Sequence, residues 1–288
     1  MSHQQEKLGI GLGFLSALSF ASMSIFVKLI DQRVSLLPVL LMPYLIGIVI
    51  LSPWYKRHHA HFDTSHLPWH LGRAVCGLGS MSCFYFAINK ISLVNATIFY
   101  TTAPLFIPII AWIVFRTWVS FKKILGLCIG FLGIYFILQP TSSFFSWASL
   151  IGLMSGFFGA GVWVCARKLS FFTTPTTTAW MYNLIAFTTL FIPTFISWQP
   201  ISNPILWYYL IGVGFFGSMG MLLAMIAVKH AHVAKVGLTV YFEVVVNVII
   251  GWIAWNEIPS GWGIIGILLV VFGSVITILD RTIPRKDT

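Results

Sequence analysis

Apolar residues along this chain come in long unbroken stretches, not in the alternating or four-residue stripes of water-soluble elements. Ten such runs are readable, at roughly 8–29, 36–54, 68–89, 93–115, 121–138, 148–167, 177–197, 205–228, 233–255 and 261–279. As helices, runs of this length reach about 27 to 36 Å, which matches the hydrocarbon thickness of a bilayer. Helix is the expected conformation, because an unpaired backbone amide in lipid costs several kcal/mol. The runs are continuous and too long for barrel strands. The first run is read as a retained helix and not as a signal peptide, since its apolar stretch is long enough to span. Between the runs lie short gaps with turn chemistry, such as SWQPISNP at 197–204 and NEIPSG at 256–261. No gap has room for a separate soluble domain.

The pattern also repeats. At a constant shift of 140 residues, Lys28 falls on Lys168, Pro53 on Pro193, Gly72 on Gly212 and Gly77 on Gly217. The run IIAWI at 109–113 falls on IIGWI at 249–253, Gly126 on Gly266 and Gly133 on Gly273. Residues 1–140 and 141–288 are therefore expected to be two five-helix repeats. Five is odd, so the second repeat inserts upside down relative to the first. Inverted repeats are the signature of alternating-access carriers, whose site lies near the midplane between the halves. The expected fold is thus an all-α membrane protein of ten transmembrane helices in two inverted five-helix repeats.

Composition agrees. Of 288 residues, 58% are hydrophobic and only 8% charged, against roughly a quarter charged in soluble domains. Mean hydropathy is +0.91. A water-soluble enzyme and a disordered chain are both excluded. The net charge of +10 reads as membrane topology and not as nucleic-acid binding. With the N-terminus in the cytoplasm, that side holds Lys7, Lys56, Arg57, Arg73, Arg116, Lys122, Lys123, Arg167, Lys168, Lys229, Lys235, Arg281, Arg285 and Lys286. The other side holds Lys28, Arg33 and Lys90. The bias predicts an inner (plasma) membrane protein of bacterial type with both termini cytoplasmic.

Glu243 is the sharpest chemical feature. It lies mid-helix in the ninth run, where a charge costs about 3 kcal/mol on insertion scales. Such a residue faces a polar cavity, pairs with a cation, or stays protonated, and it is the candidate coupling group. Lys235, Thr239, Glu243 and Asn247, spaced by four, make one polar stripe. In the fourth run Asn95 and Thr102 share a face, with Tyr100 and Thr101 nearby, and Pro104 and Pro108 permit bending. Arg73, one turn inside the third run, offers either an anion site or a lipid-headgroup anchor. Asn183, Trp163, Tyr85 and Trp180 complete the candidate wall, the aromatics either stacking on solute or packing at interfaces. Gly9 and Gly13, Gly126 and Gly130, and Gly152 and Gly156 mark close helix crossings.

The four cysteines lie inside apolar runs and read as small hydrophobes. His58, His59, His61 and His66 lack clean metal-ligand spacing. The GIGLG stretch at 9–13 follows no strand, so it is no dinucleotide loop. No catalytic constellation, metal or cofactor is expected.

The stretch RAVCGLGSMSCFYFAINKISLVNATIFYTTAPLFIPIIAWIVF at 73–115, with KKILGLCIGFLGIYFILQP at 122–140 and YFEVVVNVIIGWIAWNEIPSGWGIIGILLVVFG at 241–273, resembles the drug/metabolite transporter superfamily, specifically its EamA-type members. The chain departs from that pattern at Pro43, Thr117 and Val244, while the second half keeps an acid at Glu257. The resemblance implies a secondary transporter for a small organic metabolite, an amino acid or related solute, coupled to protons or working by exchange. S-adenosylmethionine or a nucleotide-like solute is the alternative by resemblance, and a lipid-linked substrate is the rival class. The expected partners are the solute, membrane lipid and protons, with no nucleic acid, in a monomer or homodimer.

Overall fold

The computed structural model describes residues 3–57, 66–116, 120–138, 146–231, 233–257 and 260–279. Among them every regular element is a helix. These are α1 (His3–Ile30), α2 (Leu36–Arg57), α3 (Leu67–Ile88), α4 (Leu93–Tyr100), α5 (Ala103–Phe115), α6 (Phe121–Leu138), α7 (Trp147–Leu169), α8 (Pro175–Ile196), α9 (Pro204–His230), α10 (Val233–Trp255) and α11 (Gly261–Leu279). Nine segments have the length and hydropathy to cross a membrane, α4 and α5 counting as one. The tenth is α6, 18 residues and about 27 Å long. The chain is a multi-pass membrane protein.

Helix starts use the caps written into the gaps. Ser92, Ser146, Thr174 and Asn203 each accept a backbone N–H from the first turn of α4, α7, α8 and α9. Those N–H groups have no carbonyl to bond. Proline sits in the first turn of α8 and α9, where its missing N–H costs nothing.

The fourth run is broken, not merely bent. Pro104 cannot donate to the carbonyl one turn back, so α4 stops at Tyr100 and α5 restarts at Ala103. The turn is stitched by Thr102 N to the Phe99 carbonyl at 3.2 Å and Leu105 N to the Thr102 carbonyl at 2.8 Å. The Thr101 and Thr102 hydroxyls donate to the carbonyls of Ile98 and Phe99, at 3.0 and 2.6 Å. Backbone freed by proline is thereby satisfied inside the protein, as lipid requires.

The helices pack as pairs that respect the 140-residue shift. Helix α1 runs along α9 as α7 runs along α3, α2 meets α9 as α8 meets α3, and α1 meets α10 as α7 meets α4 and α5. Counterparts run in opposite directions where they touch, since Leu93 at the start of α4 receives Glu257 from beyond the end of α10. Both α5 and α10 end on a left-handed residue, Arg116 (φ 52°) and Asn256 (φ 55°), which are themselves 140 apart. The end of the bundle carrying Lys28 and Glu257 is called the Lys28 end below, and the opposite one the Lys168 end.

The predicted small-residue crossings are all close contacts. In the α6·α11 crossing a Cβ on Gly133 would lie 2.7 Å from the Gly266 carbonyl, and one on Gly273 would lie 2.5 Å from the Gly126 carbonyl. A Cβ on Gly9 would meet Ala231 N at 2.7 Å, and one on Gly152 would meet Phe99 at 3.0 Å. Three glycines of α9 receive α1: Gly212 faces Phe26, Gly217 faces Met23 and Gly220 faces Phe20, while Gly214 packs on Met42 and Ile46 of α2. Gly273→Leu is expected to cost about 2 kcal/mol or more through overpacking, read as a loss of about 5 °C in the Tm of detergent-purified protein. Gly11→Ala, where nothing lies within 4 Å, should leave Tm unchanged or raise it.

Candidate functional site

Polar side chains from six helices converge inside the bundle. Glu243 on α10 is 1% exposed and its Oε1 has no hydrogen-bond partner. Ser24 of α1 lies against its carboxyl group, and Tyr100 of α4 is close enough to feel its charge. One turn along, Asn247 donates from Nδ2 to the Thr97 hydroxyl at 2.9 Å. Thr97 in turn donates to the Leu93 carbonyl at 2.8 Å, which leaves its oxygen free to accept.

Tyrosines extend this patch across the bundle. Tyr100 stacks on Phe84 with ring centres 4.6 Å apart. Tyr44, Tyr85, Tyr100 and Tyr182 all lie in electrostatic reach of one another. The hydroxyls of Tyr44 and Tyr182 are 3.1 Å apart, and the Tyr85 hydroxyl donates to Met23 Sδ at 3.3 Å. Beneath Tyr182 lies Arg73, its Cζ 5.1 Å from the ring centre. This buried polar cluster therefore has an acid on one side, a guanidinium on another, and phenols between.

Several expected members sit elsewhere. Thr102 is fully buried, but its hydroxyl is committed to the Phe99 carbonyl and its side chain packs on Gly156. It closes the helix break. Thr239 is likewise structural, donating to the Val236 carbonyl at 2.7 Å and packing on Gly13. Asn95 is half-buried in the first turn of α4, near the Lys28 end. Trp163 continues the Gly152, Gly156, Gly159 stripe of α7 yet is 52% exposed. An indole cannot enter a crossing that close. Asn183 is buried on the α2·α8 contact against Gly47, beside Tyr182 but turned from it. Trp180 stacks on Tyr55 at 4.1 Å and donates to Ser52. The Lys235 side chain, Thr117, His58, His59, His61 and the C-terminal basic residues lie outside the described residues. Among those described, no group of three or more His, Cys, Asp or Glu is placed to hold a metal ion.

Thr97, Ser24, Tyr44 and Tyr182 were not expected. Only Thr97 left a usable signal, as a hydroxyl in an apolar run beside Asn95.

The Lys28 end is closed by charge. Lys28 pairs with Glu257 and lies 5.5 Å from the centre of the Trp255 ring, while Glu257 also accepts from Leu93 N at 2.7 Å. Outside this clamp is a cleft of about 520 Å³ bordered by Lys28, Arg33, Lys90 and Glu257. A second, of about 230 Å³, reaches Tyr85. At the Lys168 end the corresponding lysine lies 6.0 Å from the Trp69 ring centre.

Comparison with known proteins gives this architecture a family. A profile of the EamA-like transporter family matches residues 7–139 and 146–279, and the chain belongs to that family. It is a membrane transporter for small-molecule solutes, and not an enzyme. It is 26% identical over 280 residues to the pseudopaline exporter CntI of Pseudomonas aeruginosa, covering 96% of this chain and 97% of that one. It is 26% identical to a riboflavin transporter of Vibrio cholerae, covering 81% and 79%. Human solute carrier family 35 member G1 is 24% identical, covering 93% and 78%. A crystal structure 17% identical in sequence superposes with a TM-score of 0.62 over 96% of this chain and 99% of the other, which shows the same fold.

A double-mutant cycle on Thr97→Val and Asn247→Leu, read by thermal unfolding, should give a coupling of about 0.6 kcal/mol, typical of interhelical hydrogen bonds in membranes. Additive effects would mean that the pair does not interact.

Proposed function

We propose that this protein carries a small organic metabolite, an amino acid or related solute, across the bacterial inner membrane by alternating access. The buried tyrosine cluster around Glu243 is the carrying site, and residues 1–140 and 141–288 are the inverted repeats that rock about it. The observation that carries this reading is Glu243: a fully buried acid with an unpartnered oxygen, midway along a spanning helix. Desolvation makes such a group costly unless a proton or the cationic part of a solute joins it. Glu243 takes that role, coupling transport to protons or exchange, and Tyr100, Asn247 and Thr97 surround it.

The Lys28–Glu257 clamp and the burial of Glu243 fit a closed state, with solute admitted when one end opens. Relatives that are named for exporting pseudopaline and for transporting riboflavin support a soluble organic cargo over a lipid-linked one. In proteoliposomes loaded with a solute found by thermal-shift screening, Glu243→Gln mimics the protonated acid. It is expected to keep exchange but lose at least tenfold of the acceleration given by a pH gradient. Wild-type gradient response in Glu243→Gln would remove the coupling role.

Both termini are assigned to the cytoplasm on the basic-residue bias. A green fluorescent protein fused after residue 288 should be bright and an alkaline phosphatase fusion there inactive. The reverse pattern would invert the orientation.

A further inference from the structure

Arg73 is the seventh residue of α3, 8% exposed, and its Nε has no hydrogen-bond partner. The titratable groups near it are His70, Cys165 and Tyr182, none of them a carboxylate. Of the helices packed on α3, α2, α4, α7 and α8 contain no Asp or Glu, and α1 carries only Glu6 in its first turns. Among the described residues, then, a buried cation lacks a protein counter-charge. That is an expensive arrangement unless something else supplies the anion.

The surroundings are built to orient it. A Cβ on Gly77 would lie 2.6 Å from Tyr182 Cζ, so the bare glycine lets the tyrosine ring lie against α3, facing the guanidinium. The ring attracts the guanidinium, and the fork keeps its planar N–H donors. Nothing equivalent exists in the other repeat, where the positions of Arg73 and Tyr182 are held by Val213 and Met42. The cation is thus no requirement of the scaffold.

We infer that Arg73 is the docking point for an anionic oxygen group, a carboxylate or phosphate, on the carried solute. The solute is therefore dipolar, with its anionic end on Arg73 and its cationic or protonated end toward Glu243. A guanidinium offers two parallel N–H donors that match either group. The inference rests on the reading of this buried polar cluster as the carrying site. The same oxygen chemistry is present on a phospholipid headgroup, and the test separates the two sources.

Full-length protein in neutral detergent is unfolded thermally with acetate, phosphate or 6-aminohexanoate titrated at constant ionic strength. At least one should raise Tm saturably, by about 5 °C at roughly a hundredfold excess over Kd. Arg73→Gln should lose that response and, without additive, be at least as stable as the native chain. Arg73→Lys, which keeps the charge but not the fork, should weaken apparent affinity at least threefold, and it carries the test if Arg73→Gln does not fold. No saturable shift with any of the three probes, or an equal shift in the variants, would overturn the assignment. So would Arg73-dependent stabilisation in nanodiscs by phosphatidylglycerol alone, which would make the residue a headgroup anchor. If Glu243-dependent uptake survives while the anion response is missing, only the Arg73 assignment falls. If the anion response holds and uptake ignores Glu243, the coupling reading falls instead.

Discussion

Lipid offers no hydrogen bonds, and the rest of this structure follows from that. Each polar group must find its partner within the bundle or be kept for a purpose. Threonines therefore bond back to their own helices, serines cap the starts, and the break between α4 and α5 is closed by two hydroxyls. The same constraint gives meaning to exceptions. Among the described residues, Glu243 and Arg73 are an acid and a guanidinium that each keep an unpartnered atom in a buried setting.

Symmetry supplies the scaffold and its violation supplies the chemistry. Exchanging each helix for its counterpart 140 residues away preserves the packing pairs, the left-handed ends at Arg116 and Asn256, and the glycine crossing of α6 with α11. A two-fold crossing brings each backbone to its mirror partner, and only glycine lets both come this near. The buried polar cluster does not share the symmetry. Glu243 corresponds to Ala103, Asn247 to Ile107 and Tyr100 to Val240. The packing of the helices keeps the repeat, while the buried polar cluster departs from it residue by residue.

The two ends of the bundle differ in the same way. At one, Lys28, Glu257 and the first amide of α4 tie three helices together. At the other, the matching lysine rests near aromatic rings. The Lys28–Glu257 pair is only partly exposed, at 12% and 19% of its side-chain surfaces, so salt screens it less than a fully exposed pair.

Helix number, the repeat offset, the small-residue crossings and the placing of Glu243 inside a spanning helix were legible in the chain, because each depends on local composition or on a constant spacing. A twenty-residue apolar run has few fates, and a lone acid within one is conspicuous. Which hydroxyls face the acid was not legible. Thr102 and Thr239 share helix faces with good candidates, yet a proline break and a glycine crossing turned both to structural work. Thr97, not Thr102, bonds Asn247, and Tyr44 and Tyr182 enter the cluster from α2 and α8. Trp163 followed the right face but was too large for the crossing. Periodicity fixes the direction of a side chain around its own helix, whereas its neighbours depend on which helix crosses there and how closely, and that is decided only when all ten spans pack together.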